Sequence, residues 1–320
     1  MNKQAFILLS SVLLFAACDL EYEKILDFPD NPDNPEGIDF DDEGNLIVSM
    51  ALTGHVRRIN PDTLIQDSLA WIPLGQCAPN PFPPILGAVA VEGDYAYVNA
   101  NTCDDENRGV WRIELATKDA ELFIPLPPFV LANGISVNAD ENAMYIADSA
   151  SATLWTAPLD GSGPATALIT DPLLAPTGAV FDPTPGQPGD EVPLPGSNGV
   201  QRYKGGLLVA NSSSGDLVYI EDGGASVHAN VPGGCDDFSV DVKGNVICTT
   251  DPNQTVVLVK PSGENVEIFA APEDALDGPT AVACQDYTCY VTNAAFPFFP
   301  STGVGASIGR FHNPIPEAPR

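Results

Sequence analysis

Oxygen-bearing side chains recur at one position of a pattern that returns along the chain. Glu36, Asn133 and Asp236 stand at the starts of the alternating apolar segments PEGIDF, NGISV and DDFSV, and Asp237 follows Asp236 directly. Carboxylate and amide oxygens are hard ligands that suit Ca²⁺, or another divalent cation such as Mg²⁺ or Mn²⁺. The lack of CxxC spacing and the presence of only 3 His residues disfavour Zn²⁺. We therefore predict a divalent cation site that contains these four residues.

The repeated pattern also predicts the fold. Each copy joins an alternating apolar strand, a turn rich in Asp, Asn or Gly, and a second apolar strand. The copies are marked by Gly37, Gly87, Gly134, Gly178, Asp237 and Ala281. These markers lie roughly 44 to 59 residues apart, which is typical of propeller blades. We predict an all-β protein, a six-bladed β-propeller of four-stranded antiparallel blades over residues 35–316, in which the repeat starts ring a central channel.

Two further positions of the repeat carry polar residues that we expect at the same end of the channel. One position ends the second strand of a repeat, and the other precedes the first strand. The predicted wall of a substrate pocket comprises Asn101, Asp148, Asn211 and Asp251 from the first position and Thr177 and Thr280 from the second. For the cation site the alternatives are that Glu36 is a solvated residue at the end of the acidic linker, that Asn133 only forms a turn, and that Asp236 or Asp237 only caps one.

The fourth repeat is the longest, and the N-terminal region offers a strand that could complete the ring. A Pro- and Gly-rich insertion at 183–199 is expected to be a solvated loop, with a lid or a partner-binding loop as the alternative. Residues 19–34 form an acidic tether, in which Tyr22 to Phe28 could add an outer strand to the last blade. That pairing would close the propeller.

The composition limits the classes of partner. The 320 residues carry a formal net charge of −30, from 13 Lys and Arg against 43 Asp and Glu. Such a charge repels the phosphate backbone, so nucleic-acid binding is not expected. Solubility or adaptation to salt explains the global charge without any site. We expect a monomer that acts on a small molecule.

The N-terminus has the features of an export signal. Lys3 precedes the apolar stretch from Phe6 to Phe15, which is too short to span a membrane, and Ala16-Ala17-Cys18 follows. The segment resembles a bacterial lipoprotein signal, which implies cleavage after residue 17 and lipidation of Cys18. Ordinary signal cleavage is the alternative. A lipid would be the chain's only membrane anchor, and the protein would face the periplasm or the cell surface.

The remaining cysteines also favour export. Six of the 7 Cys residues lie outside the signal, and an even number in an oxidising compartment favours disulfides. The repeat indicates which residues pair, because Cys284 and Cys289 flank one short turn and Cys235 and Cys248 lie on the two arms of another hairpin. We therefore predict the disulfides Cys284–Cys289, Cys235–Cys248 and Cys77–Cys103.

At these motifs the chain resembles the gluconolactonase, regucalcin and paraoxonase group of six-bladed, calcium-dependent propellers. NGISVNADENAMYIADS is similar to a signature of that group, PEGIDF to its first metal-ligand segment, and CDDFSVD to its PDG-containing segment. The resemblance implies that Glu36, Asn133 and Asp236 bind the metal and that Asp236 is also the catalytic base. In the second repeat ILGAV, at 85–89, stands where the group often has an Asn.

The resemblance implies metal-assisted hydrolysis of lactones or related esters. The alternative is a non-catalytic exported propeller that binds a protein or a glycan, which the missing Asn of the second repeat favours. A lyase or synthase of the strictosidine-synthase-like type shares the fold, but no residue indicates its substrate. Other catalytic schemes lack support, because the chain has no GxSxG segment and none of its 3 His residues lies at a repeat start.

Overall fold

The computed structural model describes residues 20–29, 33–77, 83–181, 192–271, 273–313 and 315. The predicted signal peptide, the lipidation site Cys18 and residues 183–191 of the insertion lie outside these ranges. The described residues form 26 β-strands and two 3₁₀ turns, Asp105–Asn107 and Pro172–Leu174, and contain no α-helix. None of the described segments forms a helix that is long and apolar enough to cross a membrane.

The first three blades are four-stranded antiparallel sheets whose strands follow one another in the chain. The first strand of the chain is β1 (Tyr22–Asp27), and the first blade then comprises β2 (Pro35–Phe40), β3 (Leu46–Met50), β4 (His55–Ile59) and β5 (Gln66–Trp71). The second blade comprises β6 (Ile85–Glu92), β7 (Tyr95–Asn101), β8 (Gly109–Glu114) and β9 (Ala120–Pro125). The third blade comprises β10 (Ala132–Asn138), β11 (Ala143–Asp148), β12 (Thr153–Pro158) and β13 (Thr166–Thr170).

The second half of the chain continues this order after a short hairpin, β14 (Val180–Phe181) and β15 (Val192–Pro193). The fourth blade comprises β16 (Ser197–Tyr203), β17 (Gly206–Asn211), β18 (Asp216–Glu221) and β19 (Gly224–Asn230). The fifth comprises β20 (Phe238–Val240), β21 (Val246–Thr250), β22 (Thr255–Val259) and β23 (Asn265–Ala270). The sixth contains β24 (Pro279–Gln285), β25 (Thr288–Asn293) and β26 (Ser307–His312).

The six sheets form a closed ring, which confirms the predicted six-bladed β-propeller. The first strands of neighbouring blades contact one another in chain order, and β24 contacts β2 to complete the circle. The N-terminal strand β1 pairs antiparallel with β26 and becomes the outer strand of the sixth blade. Both ends of the described chain therefore meet in one sheet, which holds the ring closed through backbone hydrogen bonds.

The apolar core is divided among the spaces between neighbouring blades. Each of the six spaces holds one cluster of buried side chains among the described residues, for example Ile47 and Val98 between the first two blades. Both faces of every sheet are covered in this way, so the strands nearest the channel are buried along most of their length. The core thus fixes how the first strands approach the channel.

A belt of polar side chains joins each blade to the next at the start of its first strand. A buried side chain in or directly after the second strand of one blade donates to a backbone carbonyl of the following blade. The six pairs are Ser49 to Gly87, Asn99 to Asn133, Ser149 to Ser197, Ser212 to Cys235, Thr249 to Thr280 and Thr292 to Glu36, at 2.7, 2.7, 2.7, 2.9, 2.8 and 2.9 Å. Because these donors and acceptors are buried, leaving one unpaired would be costly, so the belt fixes the position of each strand start.

The fourth blade does not begin where the sequence analysis placed it. The segment at 176–182 matched the repeat, but Val180–Phe181 pairs with Val192–Pro193 in a separate hairpin. The blade begins instead at β16, so residues 197–199, which were predicted as the end of the insertion, belong to the first strand of the blade. The long segment therefore precedes the blade and does not lie within it.

The predicted disulfides are confirmed. Cys77–Cys103, Cys235–Cys248 and Cys284–Cys289 are bonded, with Cα–Cα separations of 5.8, 5.4 and 4.0 Å. Three disulfides in one domain indicate an oxidising, extracytoplasmic compartment.

Candidate functional site

A pocket opens at the end of the channel where the first strands begin. It encloses about 610 Å³ when the open space at its mouth is included. Its polar lining consists of Glu36, Asn101, Asn133, Asn198, Ser212, Asp236 and Asp251. None of the described residues that line this pocket is Lys, Arg or His.

Asp236 is held at the base of the pocket by contacts on both sides of its backbone. Its N–H donates to the carbonyl of Thr249 at 2.8 Å, and its carbonyl accepts the N–H of Gly199 at 2.8 Å. The Nδ2 of Asn198 donates to the Oδ1 of Asp236 and also, at 3.1 Å, to the Oγ of Ser212. Asp236 therefore has one carboxylate oxygen, Oδ1, that accepts a hydrogen bond from a neutral amide. Neither of its oxygens is paired with a cationic side chain among the described residues.

Glu36 is the second carboxylate of the pocket, and one of its oxygens lacks a partner. The residue is 8% exposed, and its Oε2 is buried without a hydrogen bond among the described residues. A buried acceptor without a donor is costly in a folded protein. The Oδ1 of Asp251, which lines the same pocket, is buried and unpaired in the same way.

Burial is the main cause that raises the pKa of all three carboxylates. Burial raises the pKa of Glu36 from 4.5 to about 8, with further contributions from the charges of Asp251 and Asp237. Burial also raises the pKa of Asp236 well above its usual value, and the charges of Glu36 and Asp251 add to this effect. For Asp251, burial and the charge of Asp277 raise the pKa to about 8. A bound cation would stabilise the ionised forms, because it would supply the positive charge that the lining lacks.

The residues present fit a hard cation that is bound by oxygen. Among the described residues, no group of three or more His, Cys, Asp or Glu side chains is arranged to hold a metal ion. A cation in this pocket would therefore depend on the amides of Asn133 and Asn198 together with the carboxylates of Glu36 and Asp236. Such a mixed set of carboxylate and amide oxygens is typical of Ca²⁺ sites and does not suit Zn²⁺.

Asn198 is the pocket residue that the sequence analysis missed. Thr177, which was predicted at the corresponding place of the fourth repeat, does not line the pocket. Thr177 is exposed outside the pocket, where its N–H donates to the Oγ of Ser213 at 2.9 Å. The signal that could have identified Asn198 is the dipeptide Asn198-Gly199, which repeats Asn133-Gly134. Such glycines are required by close packing: a Cβ on Gly199 would lie 2.8 Å from the Cα of Asp237 in the next blade.

The structure does not bring Asp237 into the pocket with Asp236. Asp237 lines a second cavity further along the channel, together with Asp39, and its Oδ1 accepts the N–H of Phe238 at 2.8 Å. Burial raises the pKa of Asp237 to about 7, and the charge of Asp39 adds to this effect. The predicted role of Asp237 as a ligand beside Asp236 therefore lacks the required geometry, because the two side chains line different cavities.

Most of the predicted wall residues are occupied by structural hydrogen bonds. Asn101 lines the pocket, but its amide bonds both the N–H and the carbonyl of Ala132, at 3.0 and 2.7 Å. Thr280 donates to the carbonyl of Glu36 at 3.0 Å and so positions that residue. Asp148 accepts the N–H groups of residues 131 and 150, and Asn211 donates to the carbonyls of residues 173 and 175. Of the six predicted wall residues, Asp251 and Asn101 line the pocket.

Comparison with solved structures shows similarity of fold. A gluconolactonase from Xanthomonas campestris matches with a TM-score of 0.66 and 14% identity, over 93% of this chain and 91% of that protein. A regucalcin from Agrobacterium tumefaciens, described as a calcium-binding protein, matches with a TM-score of 0.61 and 15% identity, over 90% and 92%. Virginiamycin B lyase from Staphylococcus aureus matches with a TM-score of 0.57 and 12% identity, over 92% and 99%.

The structural matches confirm the resemblance to gluconolactonase and regucalcin propellers at the level of fold. No protein-family model matches the chain. No curated protein matches it either. Because proteins with different chemistry share this architecture, the activity has to be argued from the pocket itself.

Proposed function

We propose that this protein is a divalent cation-dependent hydrolase of lactones or related esters. The observation that carries the proposal is the convergence of Glu36, Asn133, Asn198 and Asp236 in one pocket whose described lining contains no cationic side chain. The likeness in fold to a gluconolactonase and to a calcium-binding regucalcin supports the same reading.

These four residues would hold the cation, with Ca²⁺ favoured over Mg²⁺ or Mn²⁺ because flexible mixed oxygen coordination suits the larger ion. When bound, the ion would polarise the carbonyl of the substrate and offset the negative charge that develops on its oxygen. Asn198 would orient Asp236 through its hydrogen bond to Oδ1, so that Oδ2 would be the oxygen available to the reaction.

Asp236 would act as the base that takes a proton from the attacking water. The water oxygen forms a bond to the carbonyl carbon, and the ring C–O bond then breaks. The proton held by Asp236 passes to the departing alkoxide, so that a lactone yields a hydroxy acid. Burial by itself raises the pKa of Asp236, and the bound cation would oppose this effect and keep the carboxylate ionised, as a base must be.

The test combines metal binding with hydrolysis. Calcium titration by calorimetry on the lipid-free chain from Asp19 should show one tight site above weak surface binding, and Asp236→Asn should lose it. The matched control Glu267→Gln, which removes an exposed carboxylate on β23, should keep the tight site. With a panel of lactones, we expect activity that is abolished by chelation and lowered about 10²- to 10⁴-fold in Asp236→Asn. Full activity in Asp236→Asn would contradict the proposal.

One observation favours a second candidate, a non-catalytic propeller that binds a partner. The second blade presents Gly87 at the ring position, so it contributes no ligand side chain. Absence of a tight calcium site that depends on Asp236 would favour this candidate. A lyase remains a third possibility that the fold alone permits.

We also propose that the protein is exported as a monomer and held at a membrane by a lipid on Cys18. The three disulfides support export, and the signal-like N-terminal sequence supports the anchor.

A further inference from the structure

Three phenylalanines form one side of the candidate pocket. Phe296, Phe298 and Phe299 lie on the segment between β25 and β26 and line the pocket. The rings of Phe296 and Phe298 are stacked, with centroids 4.8 Å apart and planes at 14°. Phe299 meets Phe298 edge to face, with centroids 5.1 Å apart. The pocket therefore presents an aromatic wall of fixed geometry.

The rest of the rim is also apolar. Ile85, Leu131, Leu194 and Pro195 line the pocket from the second blade, from the entry to the third blade and from the segment before the fourth. Among the polar lining groups, the Oγ of Ser212 already donates to the carbonyl of Cys235 at 2.9 Å. A ligand whose ester group reaches the carboxylates and amides thus meets mainly hydrocarbon from the remaining lining residues.

A buried carboxylate holds the residues that directly follow the aromatic wall in the chain. Asp277 is fully buried, and its Oδ2 accepts hydrogen bonds from the hydroxyl of Ser301 at 2.7 Å and from the N–H of Gly305 at 2.8 Å. Its Oδ1 accepts the N–H of Thr302 at 3.1 Å. Gln254 adds a bond from its Nε2 to the carbonyl of Pro300 at 3.1 Å. Hydrogen bonds therefore tie the segment to the fold just after the phenylalanines, which reduces the entropy cost of ordering it when a rigid ring binds.

We propose that this pocket selects uncharged lactones or esters with an aromatic body over polyhydroxylated sugar lactones. The inference rests on the hydrolase proposed above and adds the substrate class. A sugar ring would place hydroxyl groups against the Phe side chains, where they would lose hydrogen bonds to water without replacement. An aromatic ring would instead gain contact with Phe298 and bury apolar surface of its own. An anionic substrate would also be opposed by Glu36, Asp236 and Asp251.

Binding and hydrolysis are tested with probes that differ only in the ring. The lactam 3,4-dihydroquinolin-2-one, which resists hydrolysis, is titrated by calorimetry into the calcium-treated protein beside 2-piperidone, which lacks the fused benzene ring. We expect the ring to raise affinity about 10- to 100-fold. Phe298→Ala should remove most of this gain, whereas Phe129→Ala should keep it. Phe129 is a matched control, because it is 66% exposed and packs on Trp155 outside the pocket lining.

Hydrolysis of 3,4-dihydrocoumarin, δ-valerolactone and glucono-δ-lactone is then compared. We expect kcat/KM to be highest for the aromatic lactone, and Phe298→Ala to raise its KM while leaving δ-valerolactone unchanged. Equal binding of the two lactams, or equal losses in the two Phe variants, would overturn the inference. Metal-dependent hydrolysis without preference for the aromatic lactone would overturn it and leave the hydrolase proposal standing. Ring-dependent binding without hydrolysis of any lactone would support the pocket's preference and refute the hydrolase.

Discussion

Neutralising Glu36 should stabilise the metal-free protein at alkaline pH. Glu36→Gln keeps the size of the side chain and removes a charge that lies among Asp236, Asp237 and Asp251. As the pH rises, the unfolded chain loses the proton of Glu36 near pH 4.5, whereas the folded protein retains it until about pH 8. The stability that this proton confers is present below pH 4.5 and is lost as the pH rises through 8.

The magnitude follows from the size of the pKa shift. A rise from 4.5 to about 8 corresponds to about 5 kcal/mol at pH 9, since one pKa unit equals about 1.4 kcal/mol. The new amide is itself buried and needs hydrogen bonds, which offsets part of this gain. We therefore expect metal-free Glu36→Gln to be about 2–4 kcal/mol more stable than the wild type at pH 9, and within about 1 kcal/mol of it at pH 5.

Urea unfolding in a chelator at pH 5 and pH 9 measures the effect, with Glu267→Gln as the control for removing an exposed carboxylate. Added calcium should stabilise the wild type by mass action and stabilise Glu36→Gln much less, because one ligand is lost. The reasoning fails if Glu36→Gln is no more stable than the wild type at pH 9. It also fails if any gain is the same at both pH values or appears equally in Glu267→Gln.

Two further predictions concern the cysteines. Replacing Cys235 and Cys248 by Ala should weaken calcium binding about tenfold or more, because this disulfide anchors the residue next to Asp236. Replacing Cys284 and Cys289 by Ala should lower the melting temperature with little change in calcium affinity. Equal effects of the two replacements on calcium affinity would contradict the positioning role of Cys235–Cys248. Mass spectrometry of the exported protein should show a lipid on Cys18, and the substitution Cys18→Ser should release the protein from the membrane fraction. An unmodified Cys18, or a wild-type protein found outside the membrane fraction, would support ordinary signal cleavage.

Much of the architecture is predictable because it depends on neighbouring residues. Alternation of apolar and polar side chains, followed by turns such as Asp41 to Asn45, indicates each hairpin without reference to the rest of the molecule. The Cys284–Cys289 pair could be predicted for the same reason, since a short turn brings its two residues together. Glu36, Asn133 and Asp236 were identified because they recur at one place of the repeat.

The errors arise where one local pattern has two structural outcomes. The segments at Thr177 and at Asn198 both have the small or polar start that precedes the first strand of a blade. Only packing against the fifth blade decides which of the two segments begins the fourth blade. Asn198 contacts Asp236 there, whereas Gly178 has open space where a Cβ would lie. Asn101 and Asp237 were correctly placed near the channel, but which way each side chain points depends on the partners that the tertiary structure supplies.

The sequence by itself therefore determined the number of blades, most of their strands, the two disulfides within hairpins and three of the four residues proposed as ligands, because each of these follows from local pattern and its repetition. The pairing of Cys77 with Cys103, which are 26 residues apart, followed only by elimination. The tertiary structure decided the fourth ligand, the unpaired state of Asp251 and the aromatic wall. Phe298 lies in the irregular segment between β25 and β26, and it lines the same pocket as Glu36 of the first blade because the sixth blade closes the ring against the first. Contacts between residues so far apart in the chain leave no periodic signal, so they become visible only when the blades are assembled.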